Sequence, residues 1–361
     1  MIDNTIMSDG ETIPFVPEMS TYSWGRYDNG LLITPSLAEP SGSTIYTGKN
    51  FMEISSNLYT TCAVLNTGEL YITGGFIFYI IRLSLSYSRF LYAGQVDDKE
   101  EEVVYKKPRV LDILLTHKIS SVSVGLHHVV VVNSNGCAIS FGNNECGQLG
   151  HSPQIISHVP PRTVNFKCRG NKSAIVIKKA LAGDLFTLLL TTSGELYSCG
   201  AGDYTGLTGK VNLYAAEKID SLTSINVAQI ATGSSHSFAL SNHNELYGWG
   251  NNRHMQLGID SGGDHVQVPI LINIDNTQKY GSITNMACGY SHSLLNTENG
   301  YLLGCGSNKQ GQLASTLPRV DTFTEIAFNI EPNDRCIDVK CGSNHTLILV
   351  SNAGTVSMIS H

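Results

Sequence analysis

Short apolar runs of four to six residues alternate along this chain with clusters of Gly, Asn, Ser and Thr, and no sustained 3.6-residue period appears. Runs of that length read as strands, and the polar clusters supply turn chemistry. The clearest unit is GLHHVVVVNSNGCAISFGNNECGQLG, from Gly125 to Gly150. With His128 as the anchor, Gly125 lies three before it, an apolar residue four after, and Gly136 eight after. Gly142 follows at fourteen and Gly147-Gln148 at nineteen and twenty. The run after the anchor predicts one strand, Asn133 to Gly136 a turn, and the segment ending at Gly142 a second strand.

The same offsets recur, and an internal period of this kind outranks any local reading. Around His236 they give Gly233, Leu240, Tyr247, Gly250, Gln256 and Gly258. Around His292 they give Gly289, Gly300, Leu303, Gly306, Gly311 and Gln312, and His345 has Gly342 before it and Leu349 after. Phe186 and Thr60 head two further ladders in which the anchor itself has changed. Asn57 replaces the leading glycine of the Thr60 ladder, which fits if that position needs a positive φ. A half-unit, TYSWGRYDNG from Thr21, matches only the Trp-Gly portion. Six repeats of about fifty residues predict an all-β ring of radial sheets, since closure disposes of exposed edges. The anchor histidines are read as structural, each ring bonding a backbone group and fixing the turn between strands, because a metal or catalytic role would require them in one place.

Residues 1–20 read as an N-terminal extension and 21–361 as a single propeller. Phe76 to Gly94 fits no part of the repeat. Other intervals from a second-strand glycine to the next anchor are 35, 44, 36, 42 and 39, whereas Gly74 to His128 spans 54; removing these 19 residues restores 35. The segment therefore reads as an insertion within the propeller (76–94), or else as an extra hairpin on the rim, and its Arg82 and Arg89 argue against a membrane span. The acidic stretch Asp97 to Glu102 reads as a solvated loop.

A formal charge of −7 and a sequence pI near 5.9 exclude broad binding to phosphate backbones, so no direct nucleic-acid contact is expected. The nine Cys form no Cys-x-x-Cys pair, so zinc spacing is absent and the thiols read as reduced core fillers. Neither a metal nor a cofactor is called for. GAGDYTG and GCGSNKQG look like phosphate loops but lie between strands with no following helix, and are read as turn glycines. The opening MIDNTIMSDGETIPF carries acids and no apolar run, which points to a cytoplasmic or nucleocytoplasmic protein without a leader.

The combination G-x-x-H, strand, Trp-Gly or Phe-Gly, then G-Q-L-G resembles the regulator of chromosome condensation repeat. It is carried here by GLHH…FGNNECGQLG, GSSH…WGNNRHMQLG and GYSH…CGSNKQGQLA. The resemblance implies a β-propeller, usually of seven blades, with N- and C-terminal segments sharing one blade as a clasp. In this chain Tyr22-Ser23-Trp24 would pair with the strand after His345, although only six repeats are countable. It implies a protein partner, and in the founding member guanine-nucleotide exchange on a small Ran-like GTPase, an activity without acid-base catalysis. The alternative is an interaction scaffold with no exchange activity. Other relatives sense ultraviolet light through tryptophan clusters, but only Trp24 and Trp249 occur here, and residues 1–25 carry no basic tail. In exchange-factor members the variable positions of the G-x-x-H turns meet the GTPase. By motif position this gives His127, Asp184, Tyr290 and Asn344 as partner-binding candidates, beside the structural anchors His128, His236, His292 and His345. A monomer acting on a protein is the expectation, with no catalytic residue.

Overall fold

A computed structural model describes residues 51–56, 60–74, 105–111, 114, 116–154, 159–167, 175–209, 211–326, 335–352 and 355–360. The described strands form six antiparallel sheets in which hydrogen-bonded neighbours follow chain order. The first contains Phe51–Ser56, Thr60–Leu65, Leu70–Gly74 and Tyr105–Val110, and the second Ile119–Val124, His128–Asn133, Ala138–Gly142 and Val159–Thr163. The third contains Ile177–Ala182, Phe186–Thr191, Leu196–Ala201 and Asn212–Lys218; the fourth Val227–Thr232, His236–Ser241, Leu246–Asn251 and His265–Ile272. The fifth contains Ile283–Cys288, His292–Thr297, Leu302–Ser307 and Arg319–Glu325. The sixth has three described strands, Arg335–Cys341, Thr346–Asn352 and Thr355–Ser360. First strands of successive sheets pack side by side, so the sheets are blades around a common axis. This is an all-β propeller. Helix among the described residues is confined to single turns such as Gly202–Tyr204 and Thr277–Tyr280.

The repeat pattern dictates this layering. The strand after each anchor lies second in its sheet, covered on both faces, and all six residues of His128–Asn133, Phe186–Thr191, His236–Ser241 and His292–Thr297 are buried. Apolar side chains on the two faces of a blade enter two different cores, one toward each neighbour. Val129 and Val131 pack with the first sheet's Val64 and Ile72, whereas Val130 and Val132 pack with the third sheet's Ala180 and Leu189. The period of two thus knits each blade to both neighbours.

Around the axis, side chains of one blade cap the open inner edge of the next. Glu53 and Ser55 accept from the Val122 and Val124 amides at 2.9 Å each, and Ser123 accepts from the Ala182 amide at 2.9 Å. Glu53 also pairs with Lys179 of the third blade. Buried backbone groups at a sheet edge demand such partners. The insertion read at 76–94, the acidic stretch after it, and the clasp residues Tyr22-Ser23-Trp24 all lie outside the described residues.

Candidate protein-docking face

The anchor histidines join one blade to the next. The rings of His128, His236 and His292 reach into the next blade, where each meets a side-chain hydroxyl, and those of His128 and His292 also interact with the backbone of Phe186 and His345. His128 Nε2 lies 2.9 Å from Thr187 Oγ1, and that hydroxyl donates to the Gln148 carbonyl at 2.7 Å. His236 Nε2 lies 2.8 Å from Ser293 Oγ, which donates to the Gln256 carbonyl at 2.6 Å. His292 Nε2 lies 3.4 Å from Thr346 Oγ1, which donates to the Gln312 carbonyl at 2.7 Å. The hydroxyl has one proton and gives it to the carbonyl, so Nε2 must carry the ring hydrogen and donate. Nδ1 is then a bare lone pair, and no partner reaches it in His128, His236 or His292. Burial accordingly depresses these imidazoles to about 3, 3 and 4, and they stay neutral. His345, the last of the series, is exposed.

The glycine three before each anchor is also explained differently. None of Gly125, Gly183, Gly233, Gly289 and Gly342 has a φ in the left-handed range. What they need is room. A Cβ on Gly125 would lie 2.2 Å from the Gly183 carbonyl and 2.5 Å from the His128 ring, and one on Gly233 would lie 2.3 Å from the Gly289 carbonyl. The ring of each anchor covers its own turn glycine, and the neighbouring turn abuts it.

The third blade breaks the series. Phe186 replaces the anchor, Gly206 stands where the others have Gln, and the next blade's Ser237 hydroxyl is buried with no partner. Trp249, fully buried, fills the space: its Nε1 donates to the Tyr204 carbonyl at 3.1 Å and lies 3.1 Å from where a Gly206 Cβ would stand. Packing replaces the polar relay at this joint. Of the two Trp residues, Trp249 is core, and Trp24 lies outside the described residues.

Loops between third and fourth strands lie beside the turns and share one construction. Asn144 accepts from the Leu149 amide, Asn252 from Leu257 and Asn308 from Leu313, at 3.0, 3.0 and 2.7 Å. Gln148, Gln256 and Gln312 accept from the amides of Cys146, His254 and Gln310 at 2.9 Å each. The G-Q-L-G motif is therefore a self-bonded loop rather than a ligand cradle. Its Asn recurs sixteen residues after His128, His236 and His292, a signal present in the sequence and passed over in reading it.

The candidate residues fall on this same end of the molecule. Successive turns are joined by backbone bonds: Asp184 N donates to Ser234 O at 2.8 Å, Ser234 N to Gly289 O at 3.3 Å, and Tyr290 N to Ser343 O at 3.0 Å. His127 and Asn344 are exposed and Tyr290 is 55% exposed. Asp184 is half-buried rather than solvent-facing, and its carboxylate accepts a hydrogen bond from the Ser234 hydroxyl. Burial raises the Asp184 carboxyl above its ordinary range, while the Ser234 bond and the nearby His127 oppose that shift. Asp184 and His127 thus share one electrostatic neighbourhood. Tyr204, missed in the sequence because its loop lacks the G-Q-L signature, joins them: burial and then the Asp203, Asp184 and Tyr290 charges raise its phenol. Its ring packs on Phe186 at 5.9 Å and on His265 at 6.1 Å.

The arrangement offers a polar and aromatic surface built from His127, Asp184, Tyr204 and Tyr290. No group of three metal-ligating side chains gathers among the described residues. All eight described cysteines are free, and burial pushes the Cys199 thiol up to about 12, which leaves no thiolate at neutral pH. No helix among the described residues is long and apolar enough to cross a membrane.

Comparison with known proteins agrees with the architecture. The profile described as Regulator of chromosome condensation (RCC1) repeat matches residues 243–295, and a second profile of the same repeat matches 119–148, 227–256 and 283–312. In sequence the chain is similar to the ultraviolet-B receptor UVR8 of Arabidopsis thaliana, 28% identical over 232 residues, covering 64% of this chain and 50% of that protein. It is similar also to the E3 ubiquitin-protein ligase HERC2 of Homo sapiens, 29% identical over 245 residues, 67% of this chain and 5% of the ligase. The chain thus spans half the length of the receptor and a small part of the ligase. In structure it resembles human WBSCR16, with a TM-score of 0.71 at 21% identity, covering 93% of this chain and 87% of that one. Yeast RCC1 (Prp20), solved with Kap60, gives 0.68 at 19% identity, covering 90% and 74%. The chain belongs to the regulator of chromosome condensation repeat family.

Proposed function

We propose that the end of the ring bearing the G-x-x-H turns binds a protein partner, and that this partner is a small Ran-like GTPase whose nucleotide release it accelerates. One observation carries the reading. The turns bearing Asp184, Ser234, Tyr290 and Ser343 are hydrogen-bonded in succession and the turn of His127 abuts that of Gly183, so His127, Asp184, Tyr290 and Asn344 neighbour one another along one end of the ring. Exchange requires no proton transfer by the protein; it requires tighter binding to the nucleotide-free GTPase than to the loaded form, which lowers nucleotide affinity by linkage. A half-buried carboxylate such as Asp184 suits competition for a lysine that otherwise holds phosphate, because its charge is poorly hydrated. A solved relative, Prp20p of Saccharomyces cerevisiae, is described with binding to Gsp1p and histones, which lends the reading support by likeness of fold. Six or seven blades, with ring closure by the terminal segments, belong to the same proposal, for which the three-stranded sixth sheet is the support. So does a cytoplasmic or nucleocytoplasmic working place.

A second reading is a non-catalytic interaction module. It is favoured by the match to 5% of a much larger ligase, in which such a repeat array is one part of many. GDP release from a panel of small GTPases separates the two. With a responsive GTPase, Asp184→Asn combined with His127→Ala is expected to slow stimulated release at least tenfold, about 1.4 kcal/mol in the barrier. Asn keeps an acceptor for Ser234 and so preserves the turn. An unaltered rate would place the GTPase elsewhere on the ring, and stimulation of no GTPase would leave the module reading.

A further inference from the structure

Between the fourth and fifth blades, beside the turn that carries Tyr290, the surface holds a groove of about 430 Å³ lined by His254, Lys309, Leu317, Arg319 and Asp321, with Ser307 at its inner end. The Ser307 amide donates to the Ser291 carbonyl at 2.8 Å, so the groove opens directly off the G-Y-S-H turn. Its floor is fixed: His254 N is bonded to the Gln256 side chain at 2.9 Å, and Asn308 holds the Ser315 and Leu317 carbonyls at 2.7 and 2.6 Å. Burial, and then Lys309, Arg253 and Arg319, hold the His254 imidazole below the ordinary histidine range, with Asp264 opposing them. The groove brings Lys309 and Arg319 against Asp321 on a chain whose net charge is −7.

The cations are not equivalent. Arg319 is spent on Asp321, with bonds of 2.6 and 3.1 Å. Arg253 and Lys309 are exposed and pair with no carboxylate among the described residues. Leu317, 60% exposed, presents an apolar side chain along the same wall. Lys309 in the lining, Arg253 next to the lining residue His254, and the apolar side chain of Leu317 match a ligand that carries carboxylates beside an aliphatic side chain. The cations are too few, and too closely attended by Asp264 and Asp321, for a nucleic-acid track.

We propose that this groove takes an acidic peptide segment of the partner protein, its carboxylates on Arg253 and Lys309 and an aliphatic side chain against Leu317. The proposal rests on the reading of this end of the ring as the docking side, but its test does not pass through nucleotide exchange. The probe is a fluorescein-labelled dodecapeptide of Glu and Asp with one central Leu, followed by anisotropy with the full chain at low and at 0.3 M salt. Expected are saturable binding weakened by salt, no binding of the same peptide with Lys at every acidic position, and at least a tenfold loss in Arg253→Glu/Lys309→Glu. Leu317→Ser, with both charges intact, should weaken binding severalfold, and a melting curve like the wild type's should accompany each variant. The proposal falls if the acidic peptide fails to bind the wild type, if the charge-reversed protein binds it equally, or if a single-stranded oligonucleotide of equal charge binds more tightly. Exchange activity without peptide binding would remove the groove and leave the proposed function standing.

Discussion

The relay from histidine to hydroxyl to glutamine carbonyl predicts opposite outcomes for two serines that the repeat makes equivalent. Ser293 is fully buried, accepts from His236 Nε2 at 2.8 Å and donates to the Gln256 carbonyl at 2.6 Å. Ser293→Ala strands both groups, although Cys305 Sγ, 3.4 Å away, remains to the carbonyl. At about 1–3 kcal/mol for each stranded buried group, with the carbonyl at the low end, the cost is about 2–4 kcal/mol. Unfolding entropy of about 2.1 cal/mol/K per residue amounts to about 0.75 kcal/mol/K over 361 residues, so Tm should fall by about 3–5 °C. Ser237 occupies the same place one blade earlier, fully buried, but faces Phe186's blade and has no partner. Ser237→Ala removes a hydroxyl that is already unsatisfied, and Tm should stay level or rise by about 1 °C. Scanning calorimetry of the two variants beside the wild type at pH 7.5 decides the matter. Equal losses at both sites, or no loss from Ser293→Ala, would refute the relay as a source of stability.

Acid should destabilise the ring through the same histidines. Their folded values of about 3, 3 and 4 lie below the unfolded 6.5, so the unfolded chain binds more protons between those limits; stability is full above pH 6.5 and drains as pH falls. Three such groups give a slope of up to about 4 kcal/mol per pH unit near pH 5, and a Tm that is flat from pH 7.5 to 5 would contradict neutral burial. Gly233→Ala places a Cβ 2.3 Å from the Gly289 carbonyl and is expected to cost about 3 kcal/mol, read by chemical denaturation. Gly263→Ala, with nothing within 4 Å, is the control and should shift stability by less than about 0.5 kcal/mol.

Much of the fold was legible because its signals are local and repeated. The apolar run after each anchor forecast the second strands, and the N-S-N-G sequence after Val132 forecast a turn, in which Gly136 has a φ of 73°. What the sequence did not disclose was the partner of each anchor. His128 and Thr187 are separated by 59 residues, and no spacing within one repeat points to a hydroxyl in the next. The turn glycine was misread for a related reason: close approach of Gly183 to Gly125 is a contact between blades, whereas φ is a property of one residue. At the candidate site, His127, Tyr290 and Asn344 lie exposed on the turns as their motif positions implied, but Asp184 is drawn inward by Ser234 of the following blade. Tyr204 escaped notice because it stands in the one loop of this series where Gln gives way to Gly206.

The relay also has a direction, and a chain made from its N-terminus meets that direction in time. A blade such as the fourth completes its own strands while His236 Nε2 and the Gln256 carbonyl still wait for Ser293 of the fifth. A newly emerged blade headed by His128, His236 or His292 therefore carries buried-type polar groups open to water until its successor docks, and only then gains their full stabilisation. Nearest-neighbour coupling of this kind makes the order of synthesis an order of consolidation. The ladders headed by Thr60 and Phe186 lack the anchor histidine, and the joint from Phe186 to Ser237 closes by the packing of Trp249 and need not wait for a hydroxyl to arrive.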